Sequence, residues 1–258
     1  MKIAVLNFSG NIGKTTIAKY LLQRKMQCEV FSVESINSSQ LTGSEVTKIT
    51  SEQFEELQTA LLINDDLIVD IGSSNVENLL KEISTYSGSQ DDFDYFVIPT
   101  VSKDKQMVDT ISTLIHLVDE LQIPKEKIRI VYNMVSSLNN IQQDFAKIEV
   151  VVSKLGMSNS TAAIYETDYF DKIDTINDSN YPEELKQKVI NLDFMADNQD
   201  MLSKDLNNLK LQFKDASAEE KPLIKEQMLQ IAQLVQLSRL SVGVRENFDS
   251  AFNALFPA

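Results

Sequence analysis

The sequence has few of the residues from which disulfide bridges and zinc clusters are built. Its 258 residues include one cysteine, Cys28, and one histidine, His116. A single cysteine cannot form an internal disulfide, and one cysteine with one histidine is too few ligands for a Cys/His zinc cluster. His116 lies in a segment with amphipathic helical spacing, so we expect it to pack against that helix or to face solvent.

Long apolar runs and an excess of positive charge are also missing. No run reaches the roughly 18 apolar residues of a membrane span, which excludes an integral membrane segment. A polar, glycine-rich turn follows Leu6 where a signal peptide would stay apolar, so we expect a cytoplasmic location. With 24 Lys and Arg against 38 Asp and Glu, the net charge is −14. This charge argues against nucleic-acid binding by the surface as a whole and leaves a local DNA contact open.

Short apolar runs alternate with helical periodicity over most of the chain. Residues are 43% hydrophobic and 24% charged, which is typical of a globular protein. The alternation predicts an α/β fold, an open and mainly parallel sheet with helices on both faces. Ligands of such sheets bind at the carboxyl ends of the strands. The predicted strands are 2–7, 28–33, 66–72, 94–100 and 128–135, and the predicted helices are 14–25, 51–62, 104–121, 138–155 and 167–173.

The turn after the first predicted strand has the composition of a phosphate-binding loop. Residues 9–16 read SGNIGKTT, but the general pattern G-x-x-x-x-G-K-[ST] needs a glycine at position 8, where the chain has Phe8. Backbone N–H groups here and at the helix N-terminus can surround phosphates. Gly10 and Gly13 are expected to give the turn its unusual backbone angles. A tight turn without a ligand is the alternative, and the apolar strand before G-K-T-T disfavours it.

The motifs together resemble the ParA/MinD group of P-loop ATPases, whose deviant Walker A loop reads K-G-G-x-G-K-[ST] and needs no glycine at position 8. Other segments follow in the group's order: VFSVES ends near Glu34, LIVDIG carries Asp70, FVIPT carries Pro99, and IVYNMV carries Asn133. The resemblance covers roughly residues 1–175. Within the group the N-terminal stretch looks closest to StbB-type proteins, which are encoded by plasmid stability operons and linked to partition and conjugal transfer.

The resemblance implies a P-loop NTPase that binds ATP with Mg²⁺ and hydrolyses it to ADP and phosphate. Lys14 would neutralise charge on the β- and γ-phosphates, Thr15 and Asp70 would hold Mg²⁺, and Asn133 would lie beside the adenine. ATP is favoured over GTP because no N-K-x-D tetrad occurs and Met134 follows the asparagine. The implied phosphate-binding residues are Gly10, Asn11, Ile12, Gly13, Lys14, Thr15 and Thr16.

Two departures from the group bear on catalysis. The group's signature lysine, which reaches the nucleotide of a dimer partner, corresponds to Ser9. The first switch of the group usually reads Asp-x-Asp, and here Glu34 can stand for the first acid while Ile36 cannot stand for the second. Glu34, Asn37 or Ser35 would then orient the attacking water, or that orientation would be weak. Fast hydrolysis is therefore in question, whereas nucleotide binding is not.

The last third of the chain has helical spacing without strands. Apolar residues recur every three to four positions over 191–214 and 223–242, with a polar stretch between them that predicts a helical hairpin. A short terminal helix is predicted over 244–256. We therefore expect an ATPase domain at 1–190 and a helical extension at 191–258. Its apolar stripes would pack on the core or on each other, or would form a partner or dimer surface.

The predicted function is a Mg²⁺-dependent ATP switch with weak or partner-stimulated ATPase activity in plasmid partition, stability or conjugal transfer. The plasmid role follows from the resemblance alone. The expected partners are ATP and a plasmid-encoded protein, and a homodimer is left open. The main alternative is an ATP-binding adaptor that does not hydrolyse the nucleotide and recruits a protein. A P-loop small-molecule kinase is less favoured because no arginine-bearing lid is evident.

Overall fold

The computed structural model describes residues 1–33, 47–49, 54–136, 140–158, 162–177 and 181–257, with the backbone alone at 47–49. Contacts divide the chain into two compact units, one made of 1–166 with 248–258 and the other of 167–247. No helix within the described ranges has the length and apolar character to cross a bilayer.

Seven strands form one sheet in the first unit, and every neighbouring pair is parallel. In chain order they are β1 (Lys2–Val5), β2 (Val30–Val33), β3 (Thr47–Ile49), β4 (Leu67–Ile71), β5 (Tyr95–Thr100), β6 (Ile128–Val135) and β7 (Ala163–Tyr165). Across the sheet the order is β3-β2-β4-β1-β5-β6-β7. The chain winds to one side from β1 to β3 and to the other side from β4 to β7. The winding thus reverses beside β1, where ligands of such sheets bind.

Helices cover both faces of this sheet, so the predicted α/β class, a parallel sheet with helices on both faces, is confirmed. The five predicted strands are present, whereas β3, β7 and the helix 76–85 were not predicted from the sequence. The helices are α1 (Lys14–Thr16, π-helical Ile17–Gln23 and Arg24–Met26), α2 (Phe54–Ile63), α3 (Val76–Thr85), α4 (Asp104–Ile115, continued by π-helical His116–Glu120), α5 (Ile141–Asp144) and α6 (Ala146–Leu155).

Alternation along the strands supplies an apolar core on each face. In β1 and the residue after it, Ala4 and Leu6 join a large buried cluster with α2, α3, α4 and α6. Ile3 and Val5 are equally buried but point the other way, because successive side chains of a strand alternate. On that second face α1 contacts β2 and β4. The loop between β1 and α1 is therefore held by two elements that both pack into the core.

The second unit is helical. A capping box precedes its longest helix: the Ser217 N–H and hydroxyl both donate to the Glu220 carboxylate, at 2.9 and 2.8 Å. Near the other end of the hairpin, Gln199 Nε2 donates to the Ser238 carbonyl at 3.3 Å. The helices are α7 (Tyr169–Asn177), α8 (Glu183–Ile190), α9 (Leu192–Asp197), α10 (Gln199–Asp215) and α11 (Lys221–Leu255), of which α11 continues into the first unit.

The separate terminal helix predicted over 244–256 is wrong, since α11 runs unbroken through this stretch. Its last turns belong to the first unit, where Phe248 and Leu255 are fully buried. Arg129 Nε donates to the Leu255 carbonyl at 2.9 Å. Lys25 Nζ lies 3.0 Å from an Asp249 carboxylate oxygen, which ties α1 to α11. The division into domains at residue 190 stays a prediction.

Replacing Phe248 should destabilise the first unit, because its buried ring would leave a cavity. We expect Phe248→Ala to lower the free energy of unfolding by about 3–5 kcal/mol in urea titrations. Leu223→Ala, in the same helix at a residue that is 61% exposed, should change it by less than about 1 kcal/mol. Equal effects of the two substitutions would show that the end of α11 does not belong to this core.

Candidate functional site

The candidate site lies at the carboxyl ends of the central strands. The loop after β1 leads into α1, and beside it β4 carries Asp70, β5 ends at Thr100 and β6 carries Asn133. All three side chains are buried. The sheet thus brings residues that are distant in sequence to the edge at which parallel strands offer a ligand site.

Asn7 anchors the loop where the chain leaves the sheet. Its fully buried amide donates to the Pro99 carbonyl and to Thr110 Oγ1, each at 2.8 Å. Its Oδ1 accepts from the Ser9 N–H at 2.8 Å. Thr110 Oγ1 lies 3.0 Å from Thr100 Oγ1, which extends the network to the end of β5. This buried polar network was missed from the sequence, because its partners lie about 100 residues from the loop.

Phe8, which replaces the first glycine of the general pattern, is held by α4. Its N–H donates to Thr113 Oγ1 at 3.1 Å. Its ring meets the His116 ring edge-on, with 5.9 Å between centroids. His116 Nδ1 also lies 3.0 Å from a Glu120 carboxylate oxygen. Position 8 therefore packs against a helix here, and His116 serves that packing.

Asn133 and Gly13 fit against each other under the loop. The Asn133 amide donates to the Ile12 carbonyl at 2.9 Å. Gly13 has φ 83°, and a Cβ placed there would overlap the Asn133 amide nitrogen. Both the backbone angle and the close approach therefore require glycine. Asn133, which was expected beside adenine, thus contacts the backbone of the loop after β1.

The expectation that Gly10 supplies an unusual backbone angle is wrong. The left-handed residues of the loop are Asn11, with φ 55°, and Gly13. Asparagine tolerates this region better than most residues because its short side chain can bond locally. A Cβ on Gly10 would lie 3.4 Å from Ser73 Oγ, in the turn after β4. This is an ordinary van der Waals distance, so neither the backbone angle nor this contact requires glycine at position 10.

Lys14 is the buried cation of the site. Its Nζ donates to the Ser9 carbonyl at 2.6 Å and to the Asn7 carbonyl at 3.2 Å. Burial lowers the pKa of Lys14 from 10.5 to about 8, although the nearby Asp70 carboxylate acts in the opposite direction. The ammonium group is thus only partly compensated for its lost hydration, and an anion placed in the loop would stabilise its charged form.

Thr15 and Asp70 form the oxygen pair expected for a divalent cation. The Thr15 hydroxyl donates to Asp70 Oδ2 at 2.7 Å, joining the start of α1 to the end of β4. Among the residues that the structure describes, no group of three or more His, Cys, Asp or Glu side chains could hold a metal by itself. The pair fits a Mg²⁺ that takes its other oxygens from phosphates and water.

The turn after β4 is tied to the end of β2. The Gly72 N–H donates to the Val33 carbonyl at 2.9 Å, and Asn75 Nδ2 reaches the same oxygen at 3.3 Å. Glu34, the candidate water-orienting residue, follows Val33 but lies outside the described residues. Ser35, Ile36 and Asn37 also lie outside them.

The structure therefore brings together most of the predicted site. Lys14, Thr15 and Asp70 converge, and Asn133 reaches the loop from the opposite side. This arrangement offers a buried cation, backbone N–H groups at a helix N-terminus and an oxygen pair for a metal, which suits a phosphate chain. The residues that hold the loop, Asn7, Thr110 and Thr113, had no recognisable pattern beyond helical spacing on α4.

No family model matches the chain, and no curated protein matches it. The similar solved structures include MinD- and ParA-type ATPases. The MinC:MinD cell division complex of Aquifex aeolicus has 14% identity and a TM-score of 0.41, covering 73% of this chain and 92% of that one. A plasmid partition protein from Borrelia burgdorferi B31 bound to AMPPNP has 14% identity and a TM-score of 0.43, covering 73% and 96%. The cell division ATPase MinD of Pyrococcus furiosus has 11% identity and a TM-score of 0.42, covering 73% and 94%. Similarity at this level assigns no ligand to the chain.

Replacing Gly13 should destabilise the fold by more than the strain of its left-handed backbone angle alone. We expect Gly13→Ala to lower the free energy of unfolding more than Gly88→Ala, measured by urea denaturation. Gly88 has a similar φ of 90° but no atom within 4 Å of an added Cβ, so it isolates the cost of the angle, about 1–2 kcal/mol. Adding Asn133→Ala to Gly13→Ala should recover part of the difference, and an equal loss for both glycines would contradict the contact.

Proposed function

We propose that the protein binds ATP with Mg²⁺ at residues 9–16 and acts as a nucleotide-dependent switch with weak ATPase activity. The observation that carries the proposal is the Thr15–Asp70 hydrogen bond of 2.7 Å beside the buried Lys14 ammonium. A cation and a metal-binding oxygen pair at a helix N-terminus are the parts that triphosphate binding needs.

Each residue has a separate part in this proposal. On binding, Lys14 Nζ donates to phosphate oxygens in place of the Asn7 and Ser9 carbonyls, and it neutralises charge that develops on those oxygens. Gly13, with its left-handed angle, leaves the backbone N–H groups of the loop open to the phosphates. Bound Mg²⁺ would neutralise β- and γ-phosphate charge, with Thr15 and Asp70 on its protein side. Asn133 keeps the loop in place and flanks the nucleoside side of the site.

Weak hydrolysis follows from the two departures seen in the sequence. Position 9 has the buried, uncharged Ser9 side chain where the group has its signature lysine. No second cation is thus offered by that position, and one charge-assisted contact to a partner's nucleotide is lost. With Ile36 in place of the second acid, orientation of the attacking water falls to Glu34 or Asn37. In this proposal a partner protein supplies the missing cation or the missing acid.

The cellular role that we propose is plasmid partition, stability or conjugal transfer in the cytoplasm, as in StbB-type proteins. It rests on the sequence resemblance of the loop and the strands that follow it. The partner would be a plasmid-encoded protein, with a homodimer and a DNA contact left to experiment. The alternative is an adaptor that binds ATP without hydrolysing it, favoured by the same two departures.

A steady-state phosphate-release assay tests the proposal. The purified chain is measured with ATP and Mg²⁺, with and without plasmid DNA, against Lys14→Ala as the blank. Slow release above the blank supports the ATPase. Tight ATP binding with release equal to the blank supports the adaptor, and no ATP binding at all contradicts both.

Lys14 should make ATP affinity depend on pH above about 8. Below that pH the ligand meets a charged ammonium, whereas above it binding must take up a proton, so affinity should fall by up to tenfold per pH unit. Calorimetry at pH 7, 8 and 9 in buffers of different ionisation enthalpy counts that proton. Lys14→Arg should lose the pH dependence and Lys14→Ala should lose binding, while unchanged affinity in Lys14→Ala would reject the site.

Asp70 should matter mainly through the metal. We expect Asp70→Ala to reduce ATP affinity at least about tenfold with Mg²⁺ and little in EDTA, because its carboxylate pairs with the Thr15 hydroxyl to form the proposed metal site and a carboxylate has no attraction of its own for phosphate. Asp66→Ala, an exposed carboxylate just before β4, serves as the control. An equal loss with and without Mg²⁺ would assign Asp70 to a different role.

A further inference from the structure

We propose that Thr110 and Thr113 of α4 are positioning residues for the phosphate-binding loop, acting on it directly and through Asn7. The role deepens the proposed function, since it describes what holds the same site in its binding conformation. Neither threonine belongs to the loop, and both are fully buried.

Where the chain leaves the sheet, its backbone N–H groups change from strand partners to side-chain partners. The Leu6 N–H still donates to the Val97 carbonyl of β5 at 3.1 Å. Two residues later the Phe8 N–H donates to Thr113 Oγ1, and the next N–H, of Ser9, donates to Asn7 Oδ1. A buried backbone N–H needs a partner, so these side chains decide where the chain can turn out of the sheet.

Each threonine is arranged to accept. The Thr110 hydroxyl donates to the Gln106 carbonyl at 2.7 Å, and the Thr113 hydroxyl donates to the Asp109 carbonyl at 2.8 Å. These are the shortest contacts that either hydroxyl makes as a donor, compared with 3.0 Å from Thr110 Oγ1 to Thr100 Oγ1 and 3.4 Å from Thr113 Oγ1 to Asn7 Oδ1. With the hydrogens directed into the helix, the two oxygens present lone pairs to the Asn7 amide and the Phe8 N–H. Valine has the same shape but no such oxygen, whereas serine keeps it.

The network reaches the Lys14 ammonium through one residue, Ser9. Asn7 Oδ1 fixes the Ser9 N–H, and the Ser9 carbonyl accepts from Lys14 Nζ at 2.6 Å. The Asn7 carbonyl also accepts from Lys14 Nζ. Releasing Asn7 or Phe8 from α4 would therefore loosen both oxygens that orient the lysine. We expect lower ATP affinity without any loss of a ligand contact.

The test compares Thr113→Val with Thr113→Ser and with Thr59→Val. Thr59 is exposed on α2, and its hydroxyl donates to the Glu55 carbonyl at 2.9 Å. Thr59→Val therefore makes the same substitution and removes the same kind of bond within a helix, at a residue away from the loop. Calorimetry should give Thr113→Val an ATP affinity about fivefold to tenfold below wild type, because the loosened loop must be ordered again when the nucleotide binds. Thr113→Ser and Thr59→Val should stay within about twofold. Thr110→Val should weaken affinity similarly and serves as the second variant if Thr113→Val does not fold.

Amide hydrogen exchange gives a readout that needs no nucleotide. In Thr113→Val the Phe8 amide should exchange at least about tenfold faster while the Leu6 amide keeps its rate, a selective change that general destabilisation would not produce. An unchanged Phe8 rate, or an equal affinity loss in Thr59→Val, would overturn the proposal. If wild type binds no ATP, the proposed function fails, and the Phe8 and Leu6 rates still decide whether the threonines hold the loop.

Discussion

The buried side-chain amide of Asn7 needs hydrogen-bond partners at the point where a strand becomes a loop, and the surrounding structure supplies them. Its donors are taken by the Pro99 carbonyl and Thr110, and its acceptor by the Ser9 N–H. A buried amide left without partners would cost several kcal/mol, so β1, β5 and α4 must keep their relative positions. The loop geometry is thus inherited from the sheet and helix packing, not created by the loop sequence alone.

A second constraint acts from the other side of the loop. Asn133 can reach the Ile12 carbonyl only because Gly13 has no Cβ. Met134, the next residue, has φ 55°, and the β6–β7 pairing shifts register between Tyr132 and Val135. Such an irregularity re-aims side chains at the end of a strand. Two asparagines thus hold the loop through its backbone, Asn7 at the Ser9 N–H and Asn133 at the Ile12 carbonyl.

The parts of the fold that were predictable are those that local sequence encodes. Continuous apolar runs marked the central strands, and G-K-T-T after β1 marked the loop. The three-residue β7 is too short for a pattern, and the threonines of α4 look like ordinary polar residues until packing places them beside Asn7. The helix α11 was divided in the prediction at Gly243, between 242 and 244. Glycine inside a helix costs only about 1 kcal/mol relative to alanine, which a helix buried at one end tolerates.

Lys14 shows how binding and stability are opposed in this site. Its folded-state pKa of about 8 lies below the ordinary lysine pKa of 10.5, so the unfolded chain holds the proton more tightly. The free energy of unfolding of the ligand-free protein should therefore rise as the pH increases from about 8 to 10.5, with this lysine costing about 3 kcal/mol at neutral pH. The Ser9 and Asn7 carbonyls offset part of that cost by accepting from the ammonium. A phosphate in the loop would offset much more, because it brings a full opposite charge into a poorly hydrated place. The fold thus keeps a cation where its charge is unfavourable without a bound anion, and the network around Asn7 positions the two carbonyls that accept from it.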